Sequence, residues 1–263
     1  RSPFPDRRPH RAGRGLGPPG ADLCPESLGA RPRTGYPREM VLRLLAGLLL
    51  VAPATAAATS WDLVAEGQGV QCYLRQSEQT GLPVVRSVTR VEAPLAETLA
   101  VIADVDDSCS WAGSCRVARI VQRQDPTRFR LYTLRQAPPL VRDRDVELDV
   151  SIEIEPGGKQ VWARFTTAPD PLIPIPSGVV RMPLMRGHYR LRALGPELTE
   201  VEFLVEGDPG GLIPRWVLPW AARAVPYESL KALRTVVPQR RGRYPELVGT
   251  FEALTRATTP ASR

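Results

Sequence analysis

Three segments of the chain alternate apolar and polar residues with a period of two. Segments 185–193 and 201–206 do so over short lengths. In the longest segment, 145–155, every even position is apolar: Val146, Leu148, Val150, Ile152 and Ile154. Such alternation predicts β-strands with one dry face and one wet face, which is the usual pattern of an antiparallel sheet. The chain is therefore predicted to build an antiparallel sheet whose dry face another element must cover.

Turn signals divide the surrounding sequence into further strands. Pro156-Gly157-Gly158 and Gly195-Pro196, for example, separate one apolar run from the next. The predicted strands cover residues 70–75, 84–92, 116–123, 128–135, 143–155, 159–168, 182–193 and 198–206. On the wet face, the acids of segment 145–155 and the arginines of segment 185–193 suit cross-strand ion pairs on a solvated surface.

The cover is predicted to be a long helix, residues 212–237, that follows a turn at Asp208–Gly211. Pro219 and Pro226 are expected to kink this helix without ending it, because its apolar face continues past both. A shorter helix at 95–105 adds to the cover. The space beneath is either filled by side chains or left for a ligand. The apolar residues of the long helix recur at steps of three and four and so share one face: Ile213, Trp216, Val217, Trp220, Ala221, Ala224, Leu230, Leu233 and Val237.

The first 58 residues differ in character from the rest. Residues 1–39 carry eight prolines and six glycines without an apolar period. They cannot bury enough surface to offset the entropy of ordering, so we expect a disordered upstream extension. Residues 40–58 start at Met40, continue through an apolar run and end in small residues. This pattern is typical of a secretory signal peptide, cleaved after Ala56 or Ala58, with a buried apolar helix as the alternative. A periplasmic or secreted protein is expected.

The basic charge of the chain is concentrated in its front part. The whole chain has a net charge of +7. Residues 1–39 hold eight arginines against four acids, and Arg43 adds one more positive charge. Residues 59–263 are left with a net charge of only +2. Because a nucleic-acid binder needs a basic surface on its folded domain, this distribution argues against nucleic acid as a partner.

The cysteines are interpreted on the assumption of export. Cys109 and Cys115 flank a short loop-like stretch, and an oxidising compartment would favour a disulfide between them. Cys72 lies in an apolar strand and is expected to be a buried thiol outside that bridge. The sequence has no C-x-x-C motif, and His188 is the only histidine after the signal. Neither a zinc site nor any other metal or cofactor is therefore expected.

Four landmarks follow one another along the chain. A predicted helix ends in acids shortly before Trp111, and the stretch 132–145 ends in Arg-Asp where a long strand begins. Gly178–Arg181 leads into the next strand, and Glu206–Trp216 opens the last helix. In these landmarks the chain resembles a START domain, the lipid-transfer branch of the helix-grip fold, in an exported bacterial form.

The resemblance implies an α+β, helix-grip fold, in which a curved antiparallel sheet wraps around a long C-terminal helix and leaves an internal hydrophobic cavity. Residues 59–240 would form this domain, and residues 241–263 a tail with room for a short helix. A monomer would hold one lipid, such as a sterol or a phospholipid, would touch membranes transiently and would catalyse nothing. The implied cavity residues are Trp111, Val146, Leu148, Val150, Phe165, Met185, Tyr189, Phe203, Val205, Trp216, Trp220 and Ala224.

The resemblance also implies a mobile lid loop, residues 167–180. Its Leu172, Ile173 and Ile175 are apolar but stand among prolines that prevent regular structure. A lid that roofs the lipid or touches a membrane accounts for these residues, and a local minicore accounts for them equally well.

One departure from the family concerns a buried acid–base pair of its cholesterol carriers. The corresponding places fall near Leu134 and at Val150, both apolar here. Losing both charges together leaves no unpaired buried charge, and it leaves sterol recognition open. Arg164 and Arg181 are the remaining candidates for contacts to a lipid headgroup, with a surface role as the alternative.

An enzyme of the same fold, such as a cyclase acting on an apolar substrate, is the alternative function. It would need a general acid or base inside the cavity. His188 and the acids of segment 145–155 have the parity of the wet face, which leaves Tyr189 as the inward group able to move a proton. A tyrosine, with an ordinary pKa near ~10, is a poor base at neutral pH. A lipid carrier is therefore the expected function.

Overall fold

Ten strands and three α-helices make up the part of the chain that the structure, a computed structural model, describes. That part is residues 60–213 and 217–258, without the side chains of residues 217–224. The expected extension 1–39 and signal peptide 40–58 lie outside it. Among the described residues, no helix is both long and apolar enough to cross a bilayer. The strands are β1 Asp62–Gly67, β2 Val70–Gln76, β3 Pro83–Val91, β4 Cys115–Asp125, β5 Arg128–Arg135, β6 Arg144–Ile154, β7 Gln160–Thr167, β8 Val180–Arg181, β9 Leu184–Gly195 and β10 Leu198–Asp208. The helices are α1 Leu95–Ala103, α2 Val217–Gln239 and α3 Pro245–Thr258, and a short 3₁₀ turn spans Ser108–Ser110.

All ten strands belong to one sheet. Its order is β1-β2-β3-β10-β9-β7-β6-β5-β4, and each neighbouring pair along this path is antiparallel. The two-residue strand β8 pairs with the start of β6 in parallel, with Val180 opposite Arg144. The predicted antiparallel sheet and the α+β, helix-grip class are confirmed.

The dry face of the sheet carries the core. Val146, Leu148 and Ile152 of β6 are buried there, together with Leu191 of β9 and Val201 of β10. On the opposite face, arginines of β9 pair with glutamates of β10, as expected of a charged outer surface. These ion pairs are Arg186–Glu206 at 2.9 Å, Arg190–Glu202 at 3.0 Å and Arg192–Glu200 at 2.8 Å.

Helix α2 covers one side of the dry face. Its second half packs against β2 and β3, where Leu230, Leu233 and Val237 are almost fully buried. Pro226 lies inside the helix, which continues past it to Gln239 as the apolar periodicity predicts. The described second half of the predicted cover therefore lies over β2 and β3, whereas α1 contacts β9 and β10.

The segment expected to be a tail contains a third helix. Phe251 in the middle of α3 is only 2% exposed, and it joins the core of the domain. The turn between β6 and β7 comes close to this helix at Gly158, whose φ is +64°. A Cβ at that glycine would lie 1.9 Å from Cγ2 of Thr255, so only glycine allows the close approach. α3 thus extends the domain beyond the expected boundary at residue 240.

Candidate functional site

A pocket lies between the dry face of the sheet and the α1 side of the molecule. Strands β4 to β7, β9 and β10 contribute its walls, and α1 with the 3₁₀ turn covers it. Its cavity volume is about 130 Å³. A single buried water needs only roughly 10–15 Å³, so the pocket is far larger than one water site. The described residues of the sheet, of α1 and of the 3₁₀ turn therefore line a pocket instead of packing completely against one another.

Seven of the residues predicted to face a cavity line this pocket. They are Trp111, Leu148, Val150, Phe165, Met185, Tyr189 and Phe203. Val146 is instead packed in the core, and Val205 lies on β10 next to β3, in the part of the sheet that α2 covers. The predictions for Trp216 and for the side chains of Trp220 and Ala224 fall outside the described residues.

Aromatic rings form one wall of the pocket. The rings of Tyr189 and Phe203 stack with centroids 4.4 Å apart, and the ring of Phe165 lies 6.1 Å from that of Phe203. Gly187 faces Phe165 across the β7–β9 pair. A Cβ at this glycine would lie 2.9 Å from Cζ of Phe165 and 1.9 Å from the carbonyl oxygen of Leu204. The missing side chain thus makes room for the ring of Phe165.

Strand β5 supplies a wall that the sequence did not predict. Phe129, Leu131, Thr133 and Arg135 all line the pocket. Leu131 stands opposite Leu148 in the β5–β6 register, so these residues continue the dry face of β6. The odd positions from 129 to 135 form this face of the strand. The sequence pattern did not reveal this face because two even positions, Tyr132 and Leu134, are also apolar, so the segment does not alternate clearly.

The pocket is apolar except for a few polar groups near the end of β5. Nη1 of Arg135 donates a hydrogen bond to the carbonyl oxygen of Gly113 at 3.1 Å, and burial lowers the pKa of Arg135. Burial raises the pKa of Tyr189 to about 12, opposed by the charge of Arg135. Among the described residues, neither Oγ1 of Thr133 nor Nε1 of Trp111 has a hydrogen-bond partner, although both atoms are buried.

The two arginines named as headgroup candidates lie outside the lining of this pocket. Arg164 forms an ion pair with Glu153 at 3.4 Å and stacks on Trp162, so it belongs to the outer face. Arg181 donates two hydrogen bonds of 2.8 Å to the carboxylate of Asp145. Both arginines are thus bound to acids on the outer face, Arg164 at the surface and Arg181 largely buried, and Arg135 is the arginine among the described residues that line the pocket.

The acids at the start of β6 do not face solvent, which corrects the expectation for this part of the strand. Asp145 is 0% exposed and Glu147 is 1% exposed. Arg181 of β8 binds Asp145, and the lid loop contacts Glu147. The carboxylate of Glu147 accepts hydrogen bonds from the backbone N–H groups of Leu172 at 2.8 Å and Ile173 at 2.6 Å. Arg181 also donates to the carbonyl oxygen of Ile173 at 3.0 Å. These ionised groups fix the lid loop against the outer face of β6.

The apolar residues of the lid loop do not form a minicore. Leu172 is 53% exposed and Ile175 is 56% exposed, while Ile173 is half-buried. None of these three residues is among those that line the pocket. The apolar side chains of the loop therefore lie at the surface of the molecule.

A disulfide joins the two cysteines that were expected to pair. It links Cys109 of the 3₁₀ turn to Cys115 at the start of β4, beside the pocket. Cys72 is buried, and its sulfur accepts a hydrogen bond from Oγ of Ser87 at 3.1 Å. His188 is on the outer face, where its Nε2 lies 3.3 Å from Glu202. Within the described residues, no cluster of three or more acidic, histidine or cysteine side chains is suited to hold a metal ion.

Comparisons with known proteins agree with this architecture. No family model matches the chain. An uncharacterized protein of Pseudomonas aeruginosa is 29% identical over 199 residues, which is 76% of this chain and 97% of that protein. The phosphatidylcholine transfer protein of Bos taurus is 27% identical over 174 residues, 65% of this chain and 80% of that protein.

Solved structures show the same fold. A STAR-related lipid transfer protein fragment from Xanthomonas axonopodis superposes with a TM-score of 0.61 and 26% identity, over 68% of this chain and 99% of the fragment. Human StAR-related lipid transfer protein 5 has a TM-score of 0.61 and 20% identity, over 76% of this chain and 92% of that chain. These similarities agree with the sequence landmarks: the chain has the helix-grip fold and is similar to START-domain lipid transfer proteins.

Proposed function

We propose that this protein binds a single hydrophobic lipid in the pocket and transfers it between membranes, without catalysing a reaction. The observation that carries the proposal is an internal pocket with aliphatic and aromatic walls and few polar groups. Ligand sites of this kind recognise mainly by shape and apolar burial. The printed names of the bovine and Xanthomonas relatives, which describe lipid transfer, support the same class of ligand.

Apolar burial alone provides enough free energy for a carrier. A lipid that hides ~500 Å² of apolar surface gains roughly 12 kcal/mol at ~25 cal/mol per Å². Immobilising the ligand costs several kcal/mol of that gain, and the remainder corresponds to about micromolar affinity or better. A lipid larger than the present pocket requires the cover over the sheet to move outward.

The polar groups of the pocket do not favour the alternative of an enzyme such as a cyclase. Tyr189 has a pKa of about 12, so it neither gives up nor accepts a proton readily at neutral pH. His188 lies on the other face of the sheet, beside Glu202.

Transient contact with a membrane is part of the proposal. Leu140 and Leu212 are fully exposed, and the half-exposed Leu172 and Ile175 lie in the lid loop. Arg144 donates hydrogen bonds to the carbonyl oxygens of Pro209 and Gly210, and β8 pairs with β6 at the same place. These contacts bring the loops that carry the exposed residues to one end of the sheet.

We place this function in the periplasm or outside the cell, on the strength of the signal-like segment 40–58.

Extraction of the protein purified from its native host tests the proposal. Organic solvent should release about one equivalent of lipid, identified by mass spectrometry. Ala118→Phe, which fills the pocket from β4, should reduce the bound lipid at least tenfold with little change in the melting temperature. Val117→Phe, on the exposed face of the same strand, is the matched control and should keep its lipid. A wild-type protein that yields no lipid and takes up neither fluorescent sterols nor phospholipids would count decisively against a carrier.

A further inference from the structure

Arg135 is the charged residue at the apolar pocket, and it stands at the end of β5. Across the sheet its neighbours are Cys115 on β4 and Arg144 on β6, so neither neighbouring strand offers it an acid. Its hydrogen-bond partner is the carbonyl oxygen of Gly113, which carries no net charge. An arginine remains protonated in proteins, and a charge enclosed without a counter-charge is costly.

The nearby acids are committed elsewhere. Asp145 and Glu147 lie on the opposite face of β6, bound to Arg181 and to the lid loop. Asp143 pairs with Arg116 at 2.6 Å. The sequence of residues 214–224, at the start of α2, contains no acid. Among the described residues the guanidinium of Arg135 therefore forms no ion pair.

Other donors without acceptors line the same pocket. Nε1 of Trp111 can only donate a hydrogen bond, and Oγ1 of Thr133 can donate one. Both atoms are buried and neither has a partner among the described residues. Thr133 lies two residues before Arg135 and thus on the same face of β5. Together these residues offer one positive charge and several hydrogen-bond donors but no carboxylate, a set that matches an anion with several acceptor oxygens.

We propose that the ligand is a lipid with an acidic headgroup, a carboxylate or a phosphate, whose charge is neutralised by Arg135 while Thr133 and Trp111 donate hydrogen bonds to it. This inference rests on the proposed carrier function and narrows its ligand class. The ligand supplies the counter-charge that the described residues lack at this place, and its apolar part occupies the remaining pocket.

Three ligands with the same hydrocarbon tail test the inference on the full chain: oleate, oleyl phosphate and oleyl alcohol. At pH 8 the wild-type protein should bind at least one of the two anions at least tenfold more tightly than the alcohol. The preference between oleate and oleyl phosphate then identifies the anion. Arg135→Met should abolish the preference and leave the affinity for the alcohol unchanged or higher, whereas Arg135→Lys should retain part of it.

Arg119→Met is the control, because Arg119 lies on the outer face of β4 against the ring of Tyr132. It should keep the wild-type preference. Equal binding of all three ligands by the wild-type protein would overturn the inference and leave the carrier function standing. Because this comparison uses only the wild-type protein, it tests the inference even if Arg135→Met does not fold. A preference that survives Arg135→Met would also overturn it. Failure to bind any of the three would overturn the inference, and the extraction and uptake experiments would then decide separately on the carrier function.

Discussion

Single side chains determine whether the lid loop stays against the sheet. The carboxylate of Glu147 accepts two backbone N–H groups of that loop, at Leu172 and Ile173. Hydrogen bonds to a charged group contribute more than those to a neutral one, about 1.5–3 kcal/mol against about 1 kcal/mol. This buried carboxylate, together with Arg181 and Arg130, therefore holds a loop whose apolar side chains gain little from burial.

Neutralising that carboxylate should loosen the loop. Glu147→Gln keeps the shape of the side chain but replaces one of the two accepting oxygens by an NH2 group, which cannot accept a backbone N–H. One hydrogen bond is therefore lost and the other loses its charge, so hydrogen exchange at the amides of residues 172 and 173 should quicken at least fivefold, the equivalent of about 1 kcal/mol. Glu153→Gln is the matched control, because Glu153 is an exposed acid farther along the same face of β6. Equal exchange rates in wild type and Glu147→Gln would show that the loop is held by other contacts.

The alternation along β6 identified the face of each residue correctly but not what covers that face. Val146 and Leu148 are buried, as predicted, whereas Asp145 and Glu147 alternate with them and are buried as well. A period of two is the same whether the polar side meets water or a polar loop. The lid loop reaches these acids from more than twenty residues away, and local pattern carries no information about such a contact.

At the scale of elements, the strongest periodic segments were placed well. The strand predicted at 128–135 is observed as Arg128–Arg135, and the one at 143–155 as Arg144–Ile154. β8 was missed because two residues are too few to show a period, and its pairing with β6 is non-local. The pocket wall on β5 was missed because apolar residues occupy both of its faces.

The packing of helix α3 leads to a prediction about the stability of the domain. Phe251→Ala removes a side chain that is 2% exposed, and truncations of this kind cost about 3–5 kcal/mol. The midpoint of urea denaturation should fall accordingly. Glu252→Ala changes an exposed neighbour on the same helix and should leave the midpoint almost unchanged. A loss below about 1 kcal/mol for Phe251→Ala would mean that α3 packs only loosely on the domain.

At the scale of the whole molecule, the two most exposed apolar side chains among the described residues, Leu140 and Leu212, lie at the same end of the sheet. Under the proposed function, Leu140→Asp combined with Leu212→Asp should slow lipid transfer between vesicles at least fivefold, because charges at these positions resist entry into the membrane interface. Binding of ligand in solution should not change, since neither residue lines the pocket. Leu194→Asp, near the turn between β9 and β10 at the other end of the sheet, is the control. Transfer at the wild-type rate in the double variant would exclude this end as the docking surface.

Strand β6 contributes side chains to both faces of the sheet. Leu148 and Val150 line the pocket, and Glu147, between Val146 and Leu148, accepts hydrogen bonds from the lid loop on the opposite face. Under the proposed function, a shift of β6 on ligand binding would therefore also shift the carboxylate that holds the lid loop on the other face of the sheet.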